Sequence, residues 1–237
     1  MSRLLTVGVI GGMGPAATVD FMDKVLKASA AAREQDNLRL LVDCNPHVPD
    51  RNTAAIDGVH PGPVIAEMAR GLERQGADFI IMACNTAHAY EADIRAAITV
   101  PFVSLIAETA AVLSSRHARV KRAGLLAGSG CLHAGLYQDA LAAHGVAAVV
   151  LDTDGQTRFM DLLYQIKRGD VSAAARAEMR ALADVLIGSG AEVVVAACTE
   201  VPLVLAHHDI AVPLVDSTAV LVERTLAYAR DGEPLPR

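Results

Sequence analysis

Residues 76–86 read GADFIIMACNT, and residues 190–200 read GAEVVVAACTE. Each block opens on Gly-Ala-acid, runs through apolar residues and reaches a cysteine followed by a small polar residue. Aligning Cys84 with Cys198 also aligns Gly76 with Gly190 and Asp78 with Glu192, so one offset holds across the block. The flanks repeat as well. GVIGGMG at 8–14 matches GLLAGSG at 124–130, and VPFVS at 100–104 matches VPLVD at 212–216. One such match can arise by chance. Three in the same order predict two similar α/β lobes, each with a strand and glycine turn, a cysteine-tipped strand, then a Val-Pro strand.

Apolar runs of strand length alternate with longer amphipathic segments. Strands are expected over 5–10, 38–44, 78–83, 101–105, 122–127, 146–151, 192–197 and 212–215. Helices are expected over about 15–32, 61–75, 87–98, 106–117, 132–143, 156–167, 172–189, 200–207 and 217–230. Continuous apolar strands separated by helices predict an α/β fold of mostly parallel sheets covered on both faces. Pro101 and Pro213 open strands, where a missing N–H is tolerated. Ligands of open parallel sheets bind beyond the carboxyl ends of the strands. Residues 11–15, 84–86, 129–131 and 198–200 all fall at such ends. With the lobes facing each other, these four turns surround one cleft, and the loop 44–63 (CNPHVPDRNTAAIDGVHPGP) is placed to cover part of it.

The chain has 237 residues, 52% of them hydrophobic and 20% charged, enough for one large domain or two small ones with an ample core. A net charge of -6 argues against a nucleic-acid or anionic-membrane surface. No apolar run reaches the roughly 18 residues of a membrane span. The start, MSRLLTVGVIGGMGP, lacks the apolar region and cleavage site of a secretory signal, so a cytoplasmic protein is expected. Its four cysteines should then stay reduced. None forms a C-x-x-C pair or a zinc-type cluster with histidine, so no metal is expected.

A cysteine is often simply a small buried residue. Cys84 and Cys198 differ in sitting at strand tips beside polar groups, where backbone N–H groups help to stabilise a thiolate. Asn85, Thr86 and Thr199 add donors suited to a carboxylate. Met13, Ser129 and Gly130 lie on the two glycine turns that face the same cleft. His88, four residues past Cys84, either tunes that thiol or donates to a substrate, or is a helix-surface or interface histidine. Glu200 either orients or helps deprotonate Cys198, or is a helix-start carboxylate favoured by the dipole. Arg51 is a candidate clamp for a substrate carboxylate, since its planar fork binds that group at two points. As a loop residue it can equally be solvated. Lys167 ends a helical stretch and can equally be a C-terminal helix cation. Cys44 and Cys131 have no partner in the repeat, although Cys131 lies on the cleft-facing turn that matches Pro15. The turn at 11–14 lacks the full spacing of a dinucleotide fingerprint. None of Lys24, Lys27, Lys121 or Lys167 sits in a Schiff-base motif. No cofactor is expected.

MACNTAH at 82–88, AACTE at 196–200, GGMGP at 11–15 and PDR at 49–51 together resemble the aspartate/glutamate racemase superfamily. The match runs over nearly the whole chain and is best with the cofactor-independent aspartate racemases. The resemblance implies two lobes related by a pseudo-twofold axis, with residues 1–105 and 215–237 in the first and 106–214 in the second. It also implies a homodimer acting on a small acidic amino acid, aspartate first. Cys84 and Cys198 become the acid/base pair, Cys198 taking the α-proton of the L-enantiomer and Cys84 that of the D-enantiomer. Arg51 would hold the distal carboxylate, and Lys167 would line the same site. Asn85, Thr86 and Thr199 would bind the α-carboxylate or amino group. Two departures stand out: Cys131 occupies a position that is usually threonine, and Gly128 one that is often larger or polar. The alternatives are a related isomerase, such as a maleate isomerase or hydantoin racemase, and a non-catalytic small-acid binding protein or thiol switch. The paired cysteines disfavour a single-cysteine decarboxylase. Arg51 in its PDR context disfavours a hydantoin.

Overall fold

All eight expected strands form, and they divide into two sheets in a computed structural model that describes residues 4–236. The first holds β1 (Val7–Gly11), β2 (Leu40–Cys44), β3 (Phe79–Met82) and β4 (Phe102–Val103) in the order β2-β1-β3-β4. The second holds β5 (Arg122–Ala127), β6 (Ala147–Val149), β7 (Val193–Ala197) and β8 (Leu214–Asp216) in the order β6-β5-β7-β8. The two orders are the same, and every pairing is parallel. Both faces of the first sheet are buried. Val7, Val9 and Ile81 pack on one side and Ile10, Ile80 and Met82 on the other. This two-sided burial explains why the strands read as unbroken apolar runs. Pro101 and Pro213 lie just before the edge strands. Their carbonyls accept from Ile80 N–H and Val194 N–H, both at 2.9 Å.

The repeated Gly-Ala-acid triplet has an architectural cause. Gly76 and Gly190 follow the ends of α3 (Gly62–Arg74) and α9 (Ala173–Gly188) at φ 92° and 91°, a left-handed turn that a side chain resists. The next alanine bonds back to the helix: Ala77 N–H to Leu72 O at 3.2 Å, and Ala191 N–H to Leu186 O at 3.0 Å. These same residues press on a strand glycine. A Cβ on Gly8 would lie 3.0 Å from Ala77 Cβ and 3.1 Å from Leu72 Cβ, and one on Gly124 would lie 3.0 Å from Ala191 Cβ and Leu186 Cβ. The acid then caps the neighbouring strand entry. Asp78 accepts from Thr6 N–H at 2.7 Å, while Glu192 accepts from Lys121 N–H at 2.6 Å and Arg122 N–H at 3.0 Å.

Helices α1 (Pro15–Ser29), α2 (Ala54–Asp57), α4 (Glu91–Ala97) and α5 (Leu105–Arg116) complete the first half of the chain. The second half carries α6 (Ser129–His133), α7 (Leu136–Ala142), α8 (Thr153–Lys167) and α10 (Ser217–Ala229). The last helix of each half is exchanged. Ile106, Ala110 and Leu113 of α5 pack with Ala123, Leu125 and Val195 of the second sheet. Leu221, Val222 and Leu226 of α10 pack with Val9, Phe79 and Ile81 of the first. Asp216 caps α10 by accepting from Thr218 N–H at 2.8 Å, and it meets Lys24 of α1 at 2.9 Å. Arg224 of α10 bonds Glu108 of α5 at 2.8 Å.

Three helix expectations change. The segment 200–207 holds only 3₁₀ turns at Val201–Leu203 and His207–Asp209, the first with Pro202 at its start and i to i+3 bonds. The segment 132–143 breaks at Gly135, whose φ of 67° separates α6 from α7. The segment 87–98 begins as a 3₁₀ turn over Thr86–Tyr90 before α4. The loop 44–63 also contains α2, which its composition did not signal. Among the described residues, no helix is long and apolar enough to cross a membrane, and no group of three or more His, Cys, Asp or Glu is arranged to hold a metal ion.

Candidate active site

The two repeat cysteines end equivalent central strands. Cys84 follows β3 and Cys198 follows β7; they are 5% and 7% exposed, and all four cysteines are free thiols. Beyond each thiol the chain turns at once into a 3₁₀ segment. Asn85, 2% exposed, spans the lobes. Its Nδ2 donates to Ser217 Oγ at 3.2 Å, and its Oδ1 accepts from Tyr137 of α7 at 2.6 Å. Ser217 in turn donates to Ala196 O at 2.7 Å. Asn85 thereby ties the Cys84 tip to the strand that carries Cys198, which leaves its amide largely engaged with protein. Thr86 lies buried against the second-lobe turn at Gly128 and Gly130.

Cys198 has a different setting from Cys84. Its Sγ donates to Glu200 Oε2 at 3.1 Å, and Thr199 Oγ1 donates to the same oxygen at 3.2 Å. The other oxygen of Glu200 takes the Gly14 N–H at 3.2 Å and an ion pair from Lys167. Glu200 is 2% exposed, so a buried carboxylate is held by one cation, one amide, one hydroxyl and one thiol. Burial works against the charge on Lys167, but Glu200 and then Cys198 outweigh it, and the ammonium titrates above its ordinary value. Burial pushes the Cys198 thiol well above its ordinary value, and the Glu200 charge adds to this, with Lys167 opposing.

Arg51 lies on the 44–63 loop. Its Nη1 donates to Val48 O at 3.1 Å and Pro49 O at 2.9 Å. Its Nη2 reaches only Met13 O at 3.5 Å, and its buried Nε has no hydrogen-bond partner among the described residues. The Nε–Nη2 edge is the one suited to a carboxylate. Two contacts hold this loop to the second lobe. Tyr164 of α8 donates to Asp50 Oδ2 at 2.9 Å, and Gly130 N–H donates to Asn52 Oδ1 at 3.1 Å. Asp50 is lowered from its ordinary value: burial opposes this, but the Asn52 amide, Tyr164 and Arg51 prevail. At this seam the backbone of the arginine loop leaves no room for a side chain at Gly130. A Cβ on Gly130 would lie 2.5 Å from Arg51 O, and one on Gly128 2.7 Å from Asn52 Oδ1. Beside the seam, Arg51, Asn52, Tyr90, Ser129, Gly130 and His133 line an interlobe cavity of about 370 Å³.

The remaining candidates fall as follows. Met13 is 2% exposed, and its carbonyl meets Arg51. Ser129 N–H contacts Met160 Sδ at 3.3 Å, and its Oγ accepts from Gln156 at 3.1 Å. Cys131 is fully buried in the second core beside Tyr137 and Leu125, and burial, with nearby Cys84, pushes its thiol up to about 12. His88 is a buried histidine, engaged at both ring nitrogens. Its Nε2 accepts from Leu105 N–H at 3.0 Å, so Nδ1 carries the proton and donates to Cys84 O at 2.8 Å. Burial lowers its pKa and keeps it neutral. Asp50, Asn52, Tyr137 and Tyr164 were not anticipated. Only the position of Asp50 and Asn52 on either side of Arg51 hinted at a role.

Known proteins align with this architecture. The profile of the family described as "Asp/Glu/Hydantoin racemase" matches residues 10–225. The broad specificity amino-acid racemase RacX of Bacillus subtilis (strain 168) is 30% identical over 227 residues, spanning 93% of this chain and 96% of the relative. The structure of Picrophilus torridus aspartate racemase superposes with a TM-score of 0.85 at 29% identity, covering 98% of this chain and 96% of that one. An aspartate racemase homologue from Pyrococcus horikoshii OT3 shares the fold, with a TM-score of 0.76 at 23% identity over 95% of this chain and 99% of that one.

Proposed function

We propose that this chain, which belongs to the Asp/Glu/hydantoin racemase family, racemises an acidic amino acid, aspartate first, by a two-base mechanism between Cys84 and Cys198. It is an isomerase of the amino-acid racemase type. The observation that carries the mechanism is the pair of free, buried thiols at equivalent strand tips of two like-ordered sheets. One thiolate removes the α-proton, and the opposite thiol delivers a proton to the other face. The roles reverse for the other enantiomer. The α-proton is weakly acidic, so the carbanion-like state needs oriented N–H dipoles and exclusion of water. The buried turns at 84–86 and 198–200 suit that need. No cofactor enters this scheme.

The buried, unpartnered Nε of Arg51, beside an Nη2 that reaches only Met13 O at 3.5 Å, supports a distal carboxylate on the substrate. The testing experiment is α-proton exchange in D₂O, screened over L- and D-amino acids. Aspartate is expected to exchange and racemise without added pyridoxal phosphate, and Cys84→Ser or Cys198→Ser each abolishes the reaction. Full activity in either variant, or turnover of hydantoins alone, rejects this reading. The breadth named for the Bacillus subtilis relative is the reason to extend the screen beyond acidic side chains.

The same reading includes a homodimer in a reducing, cytoplasmic setting. Four free thiols suit such a compartment. Val19, Met22 and Leu26 of α1 are 64%, 41% and 61% exposed at i, i+3 and i+7, an apolar stripe suited to a second copy. Light scattering on the purified protein checks the mass.

A further inference from the structure

We propose that Asn52 is a specificity-determining residue: its uncharged carboxamide docks the Arg51 loop on the second lobe without adding a charge that would compete with the substrate's distal carboxylate for Arg51. The inference rests on the reading of Arg51 as the group that holds that carboxylate.

The repeat shows what the position does. Gly14 and Gly130 are equivalent glycines of the two turns. The amide of each donates to a side-chain oxygen from the other half of the chain: Gly14 N–H to Glu200 Oε1 at 3.2 Å, and Gly130 N–H to Asn52 Oδ1 at 3.1 Å. Thr86, the repeat equivalent of Glu200, lies against Gly130, yet the amide goes to Asn52. The two acceptors differ in charge. Glu200 is an acid, and an ion pair from Lys167 answers it. An acid at position 52 would have Arg51 beside it and would draw the guanidinium in the same way. A carboxamide accepts the same N–H and carries no charge. Asp50, on the other side of Arg51, is a carboxylate already engaged elsewhere. Its Oδ1 accepts from Asn52 N–H at 2.7 Å and its Oδ2 from Tyr164 at 2.9 Å. Arg51 Nε stays buried without a hydrogen-bond partner among the described residues.

Gly128 is the second observation. Its φ of -63° suits any residue. Its repeat equivalent, Gly12, differs: φ is 88°, and a Cβ there would lie 2.3 Å from the backbone N of Asn45. At Gly128 the nearest obstacle is the end of a side chain, Asn52 Oδ1 at 2.7 Å, with Thr86 Oγ1 next at 3.3 Å. No backbone requirement makes this residue a glycine. Its bare Cα admits the carboxamide, so Gly128 and Asn52 act as a pair.

The test is steady-state kinetics on L- and D-aspartate, with thermal unfolding of the same proteins. Asn52→Asp keeps the shape and the acceptor for Gly130 N–H. It is expected to unfold near the wild-type temperature and to raise KM about tenfold or more, with kcat changed far less. A role in folding alone predicts a wild-type KM in this variant, and that result overturns the inference. Gly128→Ala is expected to displace the carboxamide and to raise KM as Asn52→Ala does. Once Asn52 is truncated the added Cβ has room, so Asn52→Ala/Gly128→Ala should match Asn52→Ala. Should Asn52→Asp not fold, this pair decides: matching values support the inference, and additive losses overturn it. Failure of the parent reading looks different. Arg51→Lys would then lose as much on alanine as on aspartate, whereas failure of this inference alone leaves the selective loss at Arg51 in place.

Discussion

Tyr164 reaches across the cleft from α8 and donates its hydroxyl to Asp50 at 2.9 Å, one residue before Arg51. The contact fixes the arginine loop from the opposite lobe. A hydrogen bond to a charged group contributes about 1.5–3 kcal/mol, and a tenfold change in binding is about 1.4 kcal/mol. Tyr164→Phe is therefore expected to raise KM for aspartate about tenfold or more, with kcat changed far less. Steady-state kinetics check this, and an unaltered KM would remove the bracing role.

Arg51→Lys keeps the charge but loses the Nε–Nη2 edge. A lysine offers a point charge instead of a planar fork. KM for aspartate should rise by at least about tenfold. Turnover of any amino acid without a distal carboxylate should change much less. Parallel assays on aspartate and alanine read the difference, and equal losses on both would mean that Arg51 only holds its loop.

Gly8→Ala and Gly124→Ala should each destabilise the fold by about 1–3 kcal/mol through overpacking. The neighbours are the same pair in each lobe, Ala77 with Leu72 and Ala191 with Leu186. The two losses should therefore be similar. Gly71→Ala is the control. It lies inside α3, where a Cβ meets nothing nearer than 3.9 Å, so it should stabilise by up to about 1 kcal/mol. Thermal unfolding of the three variants gives the comparison.

His88 makes stability depend on pH. Its folded pKa is depressed below the ordinary 6.5, with burial as the largest cause. Glu91 opposes that shift and Arg95 adds to it. The unfolded chain therefore takes up a proton first as pH falls. The contribution of neutral His88 is present above 6.5 and is lost as pH falls toward the folded value. His88→Gln, which does not titrate, should lack this acid limb. Denaturant unfolding above and below that pH compares the two proteins, and identical pH dependence would sink the assignment.

The strands and their parallel order were legible because both faces of each sheet are buried, which leaves long apolar runs such as FIIM and VVVAA. The two strand-tip cysteines were legible because the repeat places them in register. The contacts that close the cleft were not. Tyr164 and Asp50 are 114 residues apart, and Asn85 and Tyr137 are 52 apart, so no local pattern links them. His88 was ambiguous for the same reason, since its deciding partner, Leu105 N–H, lies in the next helix. The break at Gly135 was missed because a single glycine inside an amphipathic run does not announce its φ.

The exchange of α5 and α10 bears on where such a chain can come from. Each half supplies the wall that the other half lacks, as in two identical subunits that trade an arm. A half-length ancestor with this layout would have been a swapped pair. Joining the copies end to end would have made the trade permanent and freed the two halves to diverge, so that an acid could settle beside the sulfur of Cys198 and an arginine loop could form in the first half.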